Sequence, residues 1–135
     1  MENSKIITEI ENTVLKWEET STGNGDFGAI TFLYRGKEFG HIHKTGDLDI
    51  SFGEQMTEEL LKKKLVKKHL YVPKTNITYP VLNEEKLPFA ISLLRISYLS
   101  HYIKANEKDM FSQGIFESEL AKLPERLTSV YLKQK

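Results

Sequence analysis

The sequence contains no cysteine, so it can form neither a disulfide framework nor a site that depends on a thiolate. This composition is one that a reducing compartment permits. The sequence also has no excess of either charge, because nineteen basic residues offset nineteen acidic residues. It therefore lacks the overall field that holds a phosphate backbone or an anionic membrane surface. We expect neither nucleic acid nor a membrane as a partner.

Long apolar runs are missing as well. No stretch approaches the roughly 18 successive apolar residues of a membrane span. Residues 1–5 do not begin a basic segment followed by an apolar run, as a secretory signal would. A length of 135 residues suits one domain with its own core. We expect a single cytoplasmic domain over residues 1–135, present as a monomer or a homodimer.

The spacing of apolar residues predicts helices that cover a sheet. Residues 4–17 and residues 84–105 repeat apolar side chains at helical intervals, and the second stretch is the longer. Residues 54–65 predict a further helix. Pro124 favours a restart within a short helical extension over residues 106–135.

Shorter apolar patterns predict the strands of that sheet. The polar, glycine-containing segment 20–26 is interpreted as a loop. The first three strands have short connections, which favour an antiparallel meander, because parallel strands need long crossovers. The predicted fold class is α+β, with a sheet of about five strands covered by the N-terminal helix and the long helix. The predicted strands are residues 29–34, 39–43, 47–52, 66–72 and 76–82.

The candidate site lies where two of these strands meet at a glycine-containing turn. His41 and His43 flank Ile42, so the two imidazoles share one face of the strand, about 7 Å apart. Asp49 alternates with apolar residues on the next strand. If the apolar residues of both strands face the core, both histidines lie on the same side as Asp49, with Asp47 as a further candidate.

Other side chains extend this candidate site. In the predicted strand 66–72, His69 and Tyr71 share a face, so a third histidine could converge on the first two. Trp17 and His101 have ordinary structural alternatives, as a core aromatic and as a residue that satisfies a helix end. The predicted catalytic residues are His41, His43, His69 and Asp49, and the predicted ligand-binding residues are Trp17, Tyr71, Tyr79 and His101.

Three interpretations of the histidine cluster are open. Histidines and aspartates on an exposed sheet face can pair across strands, which contributes at most about 1 kcal/mol per pair. A pocket without metal would use one histidine, oriented by Asp49, as a general base, since imidazole titrates in a suitable pH range. His41, His43 and either His69 or Asp49 also suit zinc or non-haem iron. The prediction adopted here has no metal and no cofactor.

A family resemblance rests on several short motifs in a fixed order. These motifs are Gly40–His43, Asp49–Phe52, Glu59–Leu61, His69 and Leu93–Tyr98. Their order and spacing resemble the luciferase-like domain, which occurs in small bacterial proteins and in the luciferase of fungal bioluminescence. The resemblance covers about residues 28–103. In element order alone, the chain is more loosely similar to double-wing domains of the MmcQ/YjbR type, which are not established enzymes.

The resemblance implies a compact α+β domain with a pocket near the histidines. In the fungal enzyme, that pocket oxygenates a hydroxylated aromatic pyrone without a bound organic cofactor. We therefore predict a small-molecule-binding domain that acts as a cofactor-independent oxygenase-type enzyme on a hydroxylated aromatic or enol substrate. The alternative is a non-catalytic binding or protein-interaction module of double-wing type, which the lack of a strong catalytic motif supports.

Overall fold

The computed structural model describes residues 2–133. Met1 and residues 134–135, at the ends of the predicted domain and of its helical extension, lie outside the described residues. The elements are α1 (Asn3–Val14), β1 (Thr20–Asn24), β2 (Ile30–Tyr34), β3 (Lys37–Ile42), β4 (Asp47–Ser51), α2 (Glu54–Lys62), β5 (Lys67–Lys68), β6 (Asn76–Pro80), α3 (Leu87–Ala105), α4 (Met110–Leu120) and α5 (Glu125–Lys133).

The strands form one six-stranded sheet in the order β1-β2-β3-β4-β6-β5. Every strand pair among the described residues is antiparallel, so the predicted α+β class is confirmed. The sheet has six strands, where the sequence predicted about five. The meander extends only through β4, because α2 follows β4 and β6 then lies between β4 and β5.

The additional strand is β1, which lies inside the segment predicted as a loop. Thr20–Asn24 pairs with all of β2, from Tyr34 back to Ile30. Threonine is a β-branched residue that suits a half-buried strand, and the neighbouring apolar strand offers a full ladder of hydrogen bonds. Tertiary pairing therefore overrides the local turn signal of the two glycines, and the loop prediction for residues 20–26 is wrong over most of its length.

The predicted strand 66–72 is also wrong over most of its length. Only Lys67–Lys68 pairs with β6. The chain then leaves the sheet, and the side chains of Leu70 and Tyr71 are 79% and 83% exposed. The strand parity that would place His69 and Tyr71 on one sheet face does not exist, so His69 reaches the site in another way.

The core lies between the sheet and the helices α1 and α3. Ile6, Ile10 and Val14 of α1 are fully buried, at the helical spacing that predicted this element. Helix α3 contacts α1 and α4 as well as the sheet, which explains why it is buried on several sides. The predicted extension forms α4 and α5, and α5 begins immediately after Pro124. No helix within residues 2–133 is long and apolar enough to cross a membrane.

Helix α3 approaches β3 closely at Gly40. A Cβ atom at this position would lie 2.6 Å from Cδ2 of Leu94, so any larger residue would force the buried Leu94 side chain to shift. The hydroxyl of Ser97 donates a hydrogen bond to the carbonyl oxygen of Phe39, over 2.7 Å. These two contacts fix the position of β3 relative to α3.

Strand β3 contains a bulge next to this contact. Phe32 pairs with Gly40, but Leu33 pairs with Glu38, so Phe39 is an extra residue in β3. In a regular strand, residues 38 and 41 would point to opposite faces. The bulge instead places the side chains of Glu38 and His41 on the same face.

Replacing Leu94 with alanine should destabilise the fold by about 2 to 5 kcal/mol, because Leu94 is fully buried where α3 meets Gly40. Urea denaturation measures the change. Leu82→Ala is the matched control, since Leu82 is 67% exposed and its truncation should cost less than about 0.5 kcal/mol. Equal stability of the two variants would contradict the packing described here.

Candidate functional site

The register of β3 and β4 places Asp49 between two histidines. His41 lies directly opposite Asp49. The ladder continues past the end of β3, where the backbone N–H of His43 donates to the carbonyl oxygen of Asp47 over 2.9 Å. His43 is therefore the diagonal neighbour of Asp49 on the same face, within side-chain reach.

Asp47 does not join the cluster, although it lies opposite His43. The hydroxyl of Thr45 donates to Oδ2 of Asp47 over 2.9 Å, which holds this carboxylate in the turn between the strands. Gly46 completes the turn with φ of 92°, a conformation that favours glycine. The turn thus leaves Asp49 as the shared partner of the histidines.

Three imidazoles converge on one oxygen of Asp49. The distances from Nε2 to Asp49 Oδ2 are 2.8 Å for His43, 3.2 Å for His41 and 3.5 Å for His69. Asp49 is only 5% exposed. Its other oxygen, Oδ1, accepts a hydrogen bond from the Thr78 hydroxyl over 2.5 Å. Both oxygens of this buried carboxylate are therefore satisfied, as burial of a charge requires.

His41 has a carboxylate at each ring nitrogen. Nε2 faces Asp49, and Nδ1 lies 2.8 Å from Oε2 of Glu38. The hydrogen bonds to Asp49 and then to Glu38 raise the pKa of His41 to about 9, against the opposing effect of burial. At neutral pH this side chain is an imidazolium that donates from both nitrogens.

The pKa of Asp49 shifts in the opposite direction. Burial alone would raise it, but the hydrogen bonds from His41, Thr78 and His43 outweigh burial and hold the pKa at about 2. Asp49 is consequently a carboxylate at all ordinary pH values. It is the fixed negative charge of the cluster.

His43 differs from His41 because only one of its nitrogens is engaged. Its Nε2 lies 2.8 Å from Asp49, whereas Nδ1 has no hydrogen-bond partner among residues 2–133. The side chain is 35% exposed. With the proton placed on Nε2, where Asp49 accepts it, Nδ1 carries a lone pair that is available to a ligand.

His69 is held by the chain that follows it. Its Nδ1 accepts hydrogen bonds from the backbone N–H groups of Tyr71 and Val72, over 3.1 and 3.0 Å. Because Nδ1 is an acceptor, the ring proton resides on Nε2, which faces Asp49. The exposed segment 70–72 is thereby tied to the cluster through one imidazole.

Two of the predicted ligand-binding residues lie on the core side of the sheet instead. The ring of Trp17 packs against Phe39 and Tyr98, with centroid distances of 6.2 and 5.3 Å. The ring of Tyr79 packs against Phe89 of α3 at 5.2 Å. Neither side chain faces the histidines, because each fills a gap between the sheet and the helices.

The other two predicted ligand-binding residues have different surroundings. His101 donates from Nδ1 to the carbonyl oxygen of Ser97 over 2.9 Å, within its own helix. Tyr71 is the one predicted ligand-binding residue near the cluster, since its ring centroid lies 6.3 Å from that of His69. A ligand on the histidine face would lie close to Tyr71 but not to His101.

Two residues of the cluster were absent from the sequence prediction. Glu38 was missed because a regular strand places it on the wrong face, and only the bulge corrects this. Thr78 was missed because the pairing of β4 with β6, which places it opposite Asp49, skips an element. The alternation of Asn76 and Thr78 with apolar neighbours was the signal that could have indicated it.

The histidine face is partly open to solvent. The side chains of His41 and His43 are 23% and 35% exposed. Within residues 2–133, surface depressions of about 190 to 410 Å³ lie at five other places, and none of these five is lined by a residue of the cluster. A ligand would therefore contact the imidazoles from the outside of the sheet.

The comparison with known families agrees with the resemblance drawn from the sequence. The family model described as "Luciferase domain" matches residues 36–97. This segment contains the whole cluster, from Glu38 through Thr78. The similarity to double-wing domains stays a prediction. No curated protein and no solved structure matches the chain.

The raised pKa of His41 predicts a pH-dependent stability of the metal-free protein. The stabilisation is complete below the unfolded value of about 6.5 and is lost as pH rises through about 9. We expect a loss of about 1 to 2 kcal/mol over this window, because solvent screens the partly exposed ring. Urea denaturation at pH 6 and pH 9.5, in the presence of a chelator, measures it.

His41→Gln isolates this effect, because glutamine retains polarity but does not titrate. The difference in unfolding free energy between the wild type and this variant should shrink from pH 6 to pH 9.5. Lysines that titrate near the upper limit contribute equally to both proteins and cancel in the difference. A pH-independent difference would show that His41 is not a cation stabilised by Asp49 and Glu38.

Proposed function

From the luciferase-like domain over residues 36–97, we propose that this protein is an oxygenase-type enzyme that binds a hydroxylated aromatic or enol-type small molecule. The reaction takes place on the histidine face and uses no organic cofactor. The observation that carries the proposal is the convergence of three Nε2 atoms within 3.5 Å of Asp49 Oδ2. Polar residues that only stabilise a sheet face pair across strands, whereas this carboxylate has three imidazole partners.

In this proposal, His43 is the general base. Asp49 accepts a hydrogen bond from Nε2–H of His43 and so holds the tautomer in which Nδ1 carries a lone pair. The Nδ1 atom takes the proton of the substrate hydroxyl, which leaves a phenolate or enolate. Asp49 then stabilises the resulting imidazolium, since hydrogen bonds keep this carboxylate charged despite its burial.

The neighbouring side chains stabilise the negative charge that this step creates. His41 is a cation between Glu38 and Asp49. The Nε2–H group of His69 also faces Asp49. Both favour an anionic substrate beside His43. The deprotonated substrate transfers an electron to dioxygen, and recombination of the two radicals forms a carbon–oxygen bond. The peroxide anion takes the proton back from His43, so the step adds O₂ to the substrate without another reductant.

The exposed segment after His69 supplies apolar contact area for such a substrate. Leu70, Tyr71 and Val72 are exposed, and the first two are among the most exposed large apolar side chains. Exposed apolar side chains beside polar groups are typical of a binding surface. An aromatic substrate that lies on the imidazoles would pack one side against Tyr71.

A non-catalytic binding module is the second candidate, and the open histidine face favours it. Oxygenation usually takes place in an enclosed site, because water intercepts reactive intermediates. A module of this kind would bind the same small molecules through the same face without turnover. Oxygen consumption separates the two functions.

The test combines a thermal-shift screen of hydroxylated aromatics with oxygen-electrode assays of the compounds that bind, in chelator-treated buffer. His43→Ala should fold normally and lower the rate of oxygen uptake by about 10² to 10⁴, because it removes the general base. Tyr71→Ala should weaken substrate binding without changing stability, as its side chain is 83% exposed.

Leu82→Ala is the matched control, since it truncates an apolar side chain that is 67% exposed and lies outside the cluster. It should bind and react as the wild type does. Binding without oxygen uptake in the wild type would favour the non-catalytic module. Full activity of His43→Ala would show that His43 is not the general base.

A further inference from the structure

The cluster has the composition of a metal site with open positions. Two imidazoles and one carboxylate on one face, with solvent on the other side, are the ligand set of mononuclear non-haem iron oxygenases and also suit zinc or cobalt. We propose that His41, His43 and Asp49 bind one divalent transition-metal ion through Nε2, Nε2 and Oδ2. The remaining coordination positions of this ion face outward, where a substrate oxygen can occupy one of them.

The distances fit such an ion without movement of the backbone. Two ligand atoms that lie 2.0 to 2.1 Å from one cation, at octahedral or tetrahedral angles, are about 2.8 to 3.4 Å apart. The Nε2 atoms of His43 and His41 lie 2.8 and 3.2 Å from Asp49 Oδ2. The three ligand atoms all lie within 4.8 Å of one another. Small rotations of the two imidazoles are sufficient to surround a cation.

The residues behind the ligands hold them in place. Glu38 contacts the far nitrogen of His41 over 2.8 Å, which is the carboxylate–histidine–metal arrangement that fixes a ligand's tautomer. Thr78 donates to the second oxygen of Asp49 and leaves Oδ2 as the coordinating atom. An exposed polar face that had formed by chance would lack this second layer of contacts.

His69 is not a ligand, although it lies near Asp49. Nδ1 accepts hydrogen bonds from two backbone N–H groups. The ring proton is therefore on Nε2, the nitrogen that faces the cluster. A nitrogen that carries a proton cannot coordinate a cation. His69 is instead a positioning residue that donates to Asp49 or to a water bound by the ion.

Metal binding exchanges protons for the cation. The ion displaces the Nε2 proton of His41 to solvent, and His43 moves its ring proton from Nε2 to Nδ1, so both imidazoles coordinate as neutral ligands. This inference goes beyond the proposed function and rests on it only for the identity of the substrate. In the metal-bound form the cation, rather than His43, would lower the pKa of the substrate hydroxyl and hold the resulting oxyanion. His43 therefore acts as the general base only in the metal-free form and as a ligand only in the metal-bound form.

Calorimetric titration of chelator-treated, dialysed full-length protein with ZnCl₂ and CoCl₂ tests the site in the absence of substrate. We expect one equivalent of either ion, and visible d–d bands of Co²⁺ with nitrogen and oxygen ligands. His43→Ala and Asp49→Asn should each lower the affinity by about 100-fold or more, and Glu38→Gln by about 10-fold to 100-fold. Asp49→Asn keeps the shape of the buried side chain, and circular dichroism verifies that each variant is folded.

His101→Gln is the matched control, because it removes the one histidine outside the cluster and should leave the affinity unchanged. His69→Gln should keep the stoichiometry of one ion. Wild-type affinity in His43→Ala, loss of binding in His101→Gln, or no binding by the wild type would overturn the metal site.

The same proteins separate this inference from the proposed function. Stoichiometric binding without oxygen uptake for any substrate would support the metal site and contradict the oxygenase. Oxygen uptake in the presence of chelator, by a protein that binds neither Zn²⁺ nor Co²⁺, would support the oxygenase and contradict the metal site.

Discussion

The buried charge of Asp49 is the constraint on which the rest of the site depends. A carboxylate that is 5% exposed must have partners for both oxygens, and the protein supplies them from β3, β6 and the segment after β5. Three separate parts of the chain are thereby joined at the two carboxylate oxygens of Asp49. Replacing this carboxylate with an apolar side chain would leave three imidazoles without the common acceptor that orients them.

Core packing and site geometry are connected through β3. On one face, Gly40 and Phe39 fit beneath α3, where Leu94 and Ser97 contact them. On the other face, the adjacent His41 carries the imidazolium of the cluster. The position of His41 is therefore set by the same contacts that stabilise the hydrophobic core.

The sequence predicted the parts of this site that depend on local geometry. Strand alternation and one short turn were sufficient to place His41, His43 and Asp49 on a common face. Contacts that depend on an irregular strand or on residues distant in the sequence could not be predicted in this way. The bulge that brings in Glu38 and the pairing that brings in Thr78 both depend on tertiary contacts. His69 was selected by a strand parity that does not exist, and it reaches Asp49 through a loop.

The bulge at Phe39 has a consequence for the changes in chain length that β3 can tolerate. Removing this one residue would convert the bulged strand into a regular one, in which Glu38 and His41 are two positions apart and still share a face. Such a deletion would instead remove the ring of Phe39, which is buried and packs against Trp17 and Tyr98. Within residues 36–97, the segment that matches the family model, the bulge residue is thus constrained by the hydrophobic core and not by the histidine face.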